Sequence, residues 1–280
     1  MAVLLILLML CLLLRAPLTM DAASAACRLF VTAVLPGLFP YMTAALMLAS
    51  RFGGRLPAGG LLLLAWGGGS PTGARLLPML RGGEERQRVR LAVASATMSP
   101  MFLLGTIGGW LGGGMAGAAV LAGVIAGGAL AGGLAGLRPR RMATMSTPAE
   151  TPLAAPLSFG AAVEQAARTM LLVCGTMVML RVLSALAAGA LPGAWTLPVT
   201  TLLEVTTGVQ AIAAMPWPLA LRTALCAGAA GFGGMAVIMQ NRALYPRGWL
   251  SLPEQLAWQA VHGVTSFLLT LGMMLMAGAA

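Results

Sequence analysis

Apolar residues run along most of this chain in blocks that approach the roughly 20 residues a helix needs to cross a bilayer, with polar residues gathered in short breaks between them. The first block covers about 2–20, and a second, about 26–50, carries PGLFP (36–40), whose prolines predict a kink. Arg51 and Arg55 follow, then an interrupted stretch at 58–80 and the charged loop RGGEERQRVR (81–90). Blocks at about 91–111 and 114–136 lead to RPRR (138–141) and a linker rich in Thr, Pro and Ala (143–156). The second half has a helix at about 158–188, another interrupted stretch at 195–216, and spans at about 218–240 and 255–278 separated by a loop with Arg242 and Arg247. The pattern predicts an all-α, polytopic integral membrane protein. It divides into an N-terminal hydrophobic span (1–25), a first repeat (26–137), a cytoplasmic linker (138–156) and a second repeat (157–280).

Composition agrees with that solvent. Hydrophobic residues make up 59% and charged residues 9%, where a soluble α/β protein of this length carries about 25% charged residues. The net charge of +10 comes from 17 arginines and no lysine, set in a few short loops; this is a topology signal and not a nucleic-acid-binding face. Cys11, Cys27, Cys174 and Cys226 are widely spaced, form no CxxC pair and read as small apolar filler. MAVLLILLMLCLLL (1–14) resembles the apolar core of a signal peptide. No positive residue precedes it and AASAA (22–26) lies well downstream, so an uncleaved first span is expected.

Counting arginines by loop gives a topology. With 81–90 cytoplasmic, the stretch 58–80 must enter and leave from the cytoplasm, because Arg51 and Arg55 precede it; it is then a re-entrant hairpin. Block 91–111 goes out and 114–136 returns, which places Arg138, Arg140 and Arg141 inside. Helix 158–188 goes out again, so 195–216 dips from the other side, in a region with no Arg or Lys between Arg181 and Arg222. The next span returns to Arg242 and Arg247, and the last leaves the C-terminus outside. The halves are then two inverted repeats, each with a re-entrant hairpin and a broken transmembrane helix, an organisation typical of secondary transporters.

Irregular backbone at membrane depth persists only where it is buried in protein or lines a watery cavity, so the breaks mark a candidate site. Four breaks fall at matching places: GGGSPTGAR (67–75), ATMSPMFLLGT (96–106), LLEVTTGVQ (202–210) and AGFGGMAV (230–237). In the first, Ser70 is expected at an N-cap with Pro71 at N1, followed by Thr72, Gly73 and Arg75, the last within a helical turn of Pro71. Ser99 and Pro100 repeat that signal. The second half contributes Glu204, Thr206, Thr207 and Gly208 in its hairpin, Gly233 and Gly234 in the following break, and Gln240 beyond it. Helix N-termini converging there would present partial positive charge and free donors to an anionic or strongly polar small-molecule solute. The runs GGWLGGG (108–114) and GGALAGGLAG (127–136) read instead as surfaces for close helix packing.

Glu204 is the sharpest ionisable signal, since an acid in an apolar hairpin serves a proton or Na⁺, pairs with solute, or makes a structural bond to Arg75, Arg181 or Arg222. Gln240 and Asn241 either close their helix or line the pathway. His262, the only histidine, reads as an interfacial packing residue near the start of the last span. Glu84, Glu85, Glu164 and Glu254 read as solvated or helix-start charges. There is no HExxH, nucleophile elbow or Walker motif, so an enzyme is not expected, and no cofactor beyond a coupling H⁺ or Na⁺. The expected partners are the lipid bilayer and the small-molecule solute, with no nucleic acid; whether copies form an oligomer is left open by the sequence.

The order PGLFP, SPTGAR, SPMFLLGTIGGWLG, LLEVTTG, GFGGMAVIMQ over roughly residues 30–278 resembles the sporulation integral membrane protein family of the YlbJ type. That family belongs to the wider group with a nucleoside-recognition or Gate domain, related in architecture to concentrative nucleoside transporters. Gly68, Ser70 and Ser99 stand where the family favours Ser, Tyr and Asn, and Ala236 and Ile238 where more polar residues are expected. The resemblance implies a bacterial endospore-former, a transporter-like fold and a role in spore maturation, carrying dipicolinic acid across the outer forespore membrane. A nucleoside-type solute carrier and a non-transporting scaffold or assembly factor of sporulation are the alternatives.

Overall fold

The computed structural model describes residues 2–52, 56–79, 85–137, 156–245 and 249–278. Among them every regular element is helical and none is a strand. Most of the linker, together with Arg55, Arg81, Glu84, Arg138, Arg140, Arg141 and Arg247, lies outside the described residues.

Helix α1 (Ala2–Leu14) buries no residue. Beyond Arg15, α2 (Ala16–Leu29), a π turn (Phe30–Val34) and α3 (Leu35–Arg51) form one 36-residue apolar helix. The first boundary therefore falls at Arg15, where Pro17 in the opening turn starts a new helix, and residues 16–25 belong to the long span. Where a kink is expected at PGLFP the helix is continuous, and its irregularity is that π turn: Leu35 N–H bonds back to Phe30, in the turn immediately before Pro36.

Next come α4 (Ala58–Gly68) and α5 (Ser70–Leu76), folded on each other about Gly69. Neither is long enough to cross a bilayer of about 20 helical residues. Helix α6 (Glu85–Ala94) stops before an unwound stretch at 95–99, after which the chain resumes as a π segment (Met101–Ile107) and the short α7 (Gly108–Trp110). Helix α8 (Gly114–Leu137) closes this half. The second half runs α9 (Phe159–Ala188), α10 (Gly193–Leu203), α11 (Val205–Ala213), α12 (Leu219–Phe232), α13 (Gly234–Leu244) and α14 (Leu252–Met276). Both halves thus have the order long span, broken pair, broken span, long span. Among the described residues five stretches are long and apolar enough to cross a membrane: Ala16–Arg51, Gly114–Leu137, Phe159–Ala188, Leu219–Leu244 and Leu252–Met276.

Small residues set the closest packing at Gly127, Gly128 and Gly132 of the 127–136 run; in the 108–114 run only Gly108 meets a neighbour, Gly117, and Gly109, Gly112, Gly113 and Gly114 have nothing within 4 Å of an added Cβ, so that run is not the packing surface expected of it. On α8, a Cβ on Gly127 would lie 2.4 Å from Ser266 Oγ, and one on Gly132 would lie 2.7 Å from Ala94 Cβ. On α12, Gly231 approaches the same Ser266. Helices α8, α12 and α14 therefore touch nearly backbone to backbone, and dispersion between closely fitted helices replaces the hydrophobic drive that lipid cannot supply. His262 lies inside this cluster near the middle of α14, fully buried, with Nε2 2.9 Å from the Val124 carbonyl. It is a bundle residue and not an interfacial one, because its helix begins a full ten residues earlier and presents Gln255, Gln259, His262, Ser266 and Thr270 inward.

Candidate functional site

The four breaks meet in pairs. Gly69 has φ +73°, open to glycine, and a Cβ on it would sit 2.6 Å from the amide nitrogen of Ser99, so the first hairpin break lies directly on the first broken span. In the second half, Gly234 (φ +70°) would place a Cβ 3.2 Å from the amide nitrogen of Val205, so α13 begins against the break between α10 and α11. The halves are joined by Ser70 Oγ donating to Asn241 Oδ1 at 2.6 Å, fully buried.

That contact corrects one expectation. Gly69, and not Ser70, occupies the N-cap of α5, with Ser70 and Pro71 as its first two residues. The cap residue must leave helical geometry, and here it must also approach Ser99 too closely for a side chain, so glycine takes the place and frees the Ser70 hydroxyl. Ser99 keeps the expected role: its hydroxyl accepts from Phe102 N–H at 3.3 Å.

A cavity of about 70 Å³ lies where the breaks meet. Ser70, Pro71, Ser99, Glu204, Thr206 and Gln240 line it, together with Thr97 and apolar residues from α3, α9 and α13. At about 30 Å³ per molecule this is room for roughly two waters. Thr97 Oγ1 is buried with no hydrogen-bond partner among the described residues, as is Asn241 Nδ2 nearby on α13. Both are hydrogen-bonding capacity left unmet beside the cavity. Gln240 and Asn241 lie inside α13 and do not close it; Gln240 Nε2 donates to Thr176 Oγ1 at 2.8 Å.

Glu204 is the extended residue between α10 and α11 and caps α11. Its Oε1 accepts from the amide and hydroxyl of Thr206, and its Oε2 from the amide (2.9 Å) and hydroxyl of Thr207. Four donors fill about all the lone-pair sites a carboxylate offers. Among the described residues the cation beside it is Arg181, whose Nη1 is 3.8 Å from Oε2. Arg222 is engaged elsewhere, donating to the Ala213 carbonyl at 2.6 Å.

The remaining candidates support the breaks from outside the cavity. Thr72 donates to the Gly68 carbonyl at 3.0 Å. Gly73 and Gly208 are packing points, where a Cβ would lie 2.9 Å from Ser95 Cβ and 2.1 Å from Thr201 Oγ1 respectively. Gly233 forms the left-handed junction of α12 and α13, and Pro100 opens the helical turn after Ser99. Arg75 lies in the last turn of α5, half-buried, and does not line the cavity. Sequence reasoning missed Thr97, an ordinary threonine inside ATMSP with no local mark. It named Arg181 only as a partner for Glu204.

Among the described residues no group of three or more His, Cys, Asp or Glu could hold a metal ion. Comparison with protein-family models, with curated proteins and with solved structures finds no match to this chain.

Proposed function

We propose that this chain is a membrane carrier for a small polar solute, with dipicolinic acid as the solute that the resemblance favours, and that the solute passes through the cavity between the helix breaks. The observation that carries this reading is the convergence of four breaks, far apart in sequence, on one buried cavity with an unmet threonine hydroxyl. A scaffold needs helical spans, but it does not need to interrupt four of them at one place, where each unpaired backbone group costs several kcal/mol in lipid. The equal order of elements in both halves and the shortness of α4, α5, α10 and α11 support two inverted repeats with re-entrant hairpins. Glu204 holds the second hairpin in shape through the Thr206 and Thr207 donors, so recognition falls to hydroxyls, the Gln240 amide and Arg181. At about 70 Å³ the cavity is too small for a dicarboxylate, so loading needs the surrounding helices to move, as an alternating-access cycle does.

Uptake of labelled dipicolinate by proteoliposomes of the purified protein tests the reading, with uridine in parallel and Thr97→Val as control. Saturable dipicolinate uptake lost in the variant is the expected result. Uridine uptake alone moves the chain to nucleoside-type transport. No uptake of either by folded protein favours the scaffold reading.

A further inference from the structure

A second cavity, of about 690 Å³, lies between α2, α9, α10 and α11. This is within the roughly 300–1,000 Å³ range of small-molecule sites, which the central cavity is not. Its walls are mainly aliphatic, with Asp21, Arg181, Ser184, Thr196, Thr200 and Thr207 as the polar members. Arg181 is the one basic side chain of this lining. It keeps 27% of its side-chain surface exposed and makes no hydrogen bond among the described residues. Its 3.8 Å approach to Glu204 is about 1 Å longer than a charge-assisted hydrogen bond. The reason lies in Glu204, whose lone pairs are already taken by the two threonines. A guanidinium with five donors and no hydrogen-bonded acceptor among the described residues therefore stands in the wall of an apolar vestibule.

The same residues separate the two cavities. Thr206 and Glu204 line the central one, Thr207 and Arg181 the outer one, and Glu204 Oε2 faces Thr207. We propose that the vestibule docks the solute before it reaches the central cavity: a small carboxylate with an apolar or aromatic body, its carboxylate on Arg181 in place of Glu204 and its body on the aliphatic wall. Parting Arg181 from Glu204 then opens the way inward. Asp21, on α2 in the same lining, offsets the charge of Arg181, so the site selects by direct contact at Arg181 and not by a net positive field. This rests on the carrier reading above.

Binding of pyridine-2,6-dicarboxylate and of its neutral diamide to the full-length protein in zwitterionic-lipid nanodiscs, measured by titration calorimetry, tests the proposal. The dicarboxylate should bind wild type, and Arg181→Gln should weaken it roughly tenfold to hundredfold while leaving any diamide binding unchanged. Asp21→Asn should strengthen it, and Arg75→Ala, at a residue that lines neither cavity, should change it less than about twofold. The double variant Arg181→Gln/Glu204→Gln removes both charges, so loss of binding there cannot come from an unpaired buried carboxylate. Unchanged affinity in both Arg181 variants overturns the proposal. So does loss of binding when anionic lipid is added to the nanodiscs, which would assign Arg181 to a lipid headgroup. Uptake in liposomes separates the two readings: uptake with no Arg181 dependence of KM sinks the vestibule site alone, whereas Arg181-dependent binding without uptake of any solute sinks the carrier reading alone.

Discussion

Ser70 and Asn241, 171 residues apart, share a buried hydrogen bond of 2.6 Å that ties the first hairpin break to the broken span of the other half. The Asn241 amide nitrogen already lacks a partner among the described residues, so its oxygen depends on the serine. Ser70→Ala should therefore destabilise the folded protein by about 1–3 kcal/mol, the cost of orphaning a buried acceptor. The double variant Ser70→Ala/Asn241→Leu should recover much of that loss. Thermal unfolding in detergent reads both, and strictly additive effects would mean that the bond does not couple the halves.

Gly69 and Gly175 should respond oppositely to alanine. Gly69→Ala combines a positive φ with a Cβ 2.6 Å from a backbone nitrogen, and should prevent assembly of folded monomer. Gly175 sits mid-way along α9 with nothing within 4 Å of an added Cβ. There, alanine should be neutral or stabilise by up to about 1 kcal/mol through helix propensity. Detergent-solubilised yield and melting temperature check the pair.

Glu204→Ala should cost about 2 kcal/mol or more, because it uncaps α11 and leaves Arg181 without its nearest anion. Glu204→Gln, which keeps one acceptor oxygen for the first turn but turns an NH2 donor towards the other threonine, should cost less than Glu204→Ala. If Glu204 also carries the coupling proton, the glutamine variant should show uptake that no longer varies with pH. Pronounced pH dependence retained in that variant would limit Glu204 to its structural role.

Arg75→Ala should change dicarboxylate affinity less than about twofold, since Arg75 lines neither cavity and no charge-assisted contact worth a tenfold factor is lost. A drop as large as that expected for Arg181→Gln would place the solute beside α5 instead.

His262→Leu should leave the pH profile of uptake intact and shift stability by less than about 1 kcal/mol. It loses the bond to the Val124 carbonyl but also removes Nδ1, which is buried without a partner. A changed pH profile would make His262 part of a proton path.

The all-helical class, the later long spans and the places of all four breaks were legible in the chain, because they rest on local causes, whereas the first boundary was not: it falls at Arg15 and opens one helix from Ala16 to Arg51. Run length sets whether a helix can cross a bilayer, and Gly, Pro and an acid in an apolar run interrupt it within a residue or two. Glu204 and the Gly233 junction stand out for that reason, and so did the close-packing role of the α8 glycines. Which side chains meet was decided only by the tertiary structure. Thr97 and Asn241 look like any polar residues of a helix end until α13 crosses α5. Ser70 looks like a cap until its hydroxyl finds Asn241 and Gly69 takes the cap. Arg75, close to the break in sequence, points elsewhere, while Arg181, in mid-helix and 23 residues before Glu204, reaches it across the α9–α10 contact. Helical periodicity says which residues share a face; which face it meets depends on how non-neighbouring helices cross, and close packing of small residues across the bundle decides that.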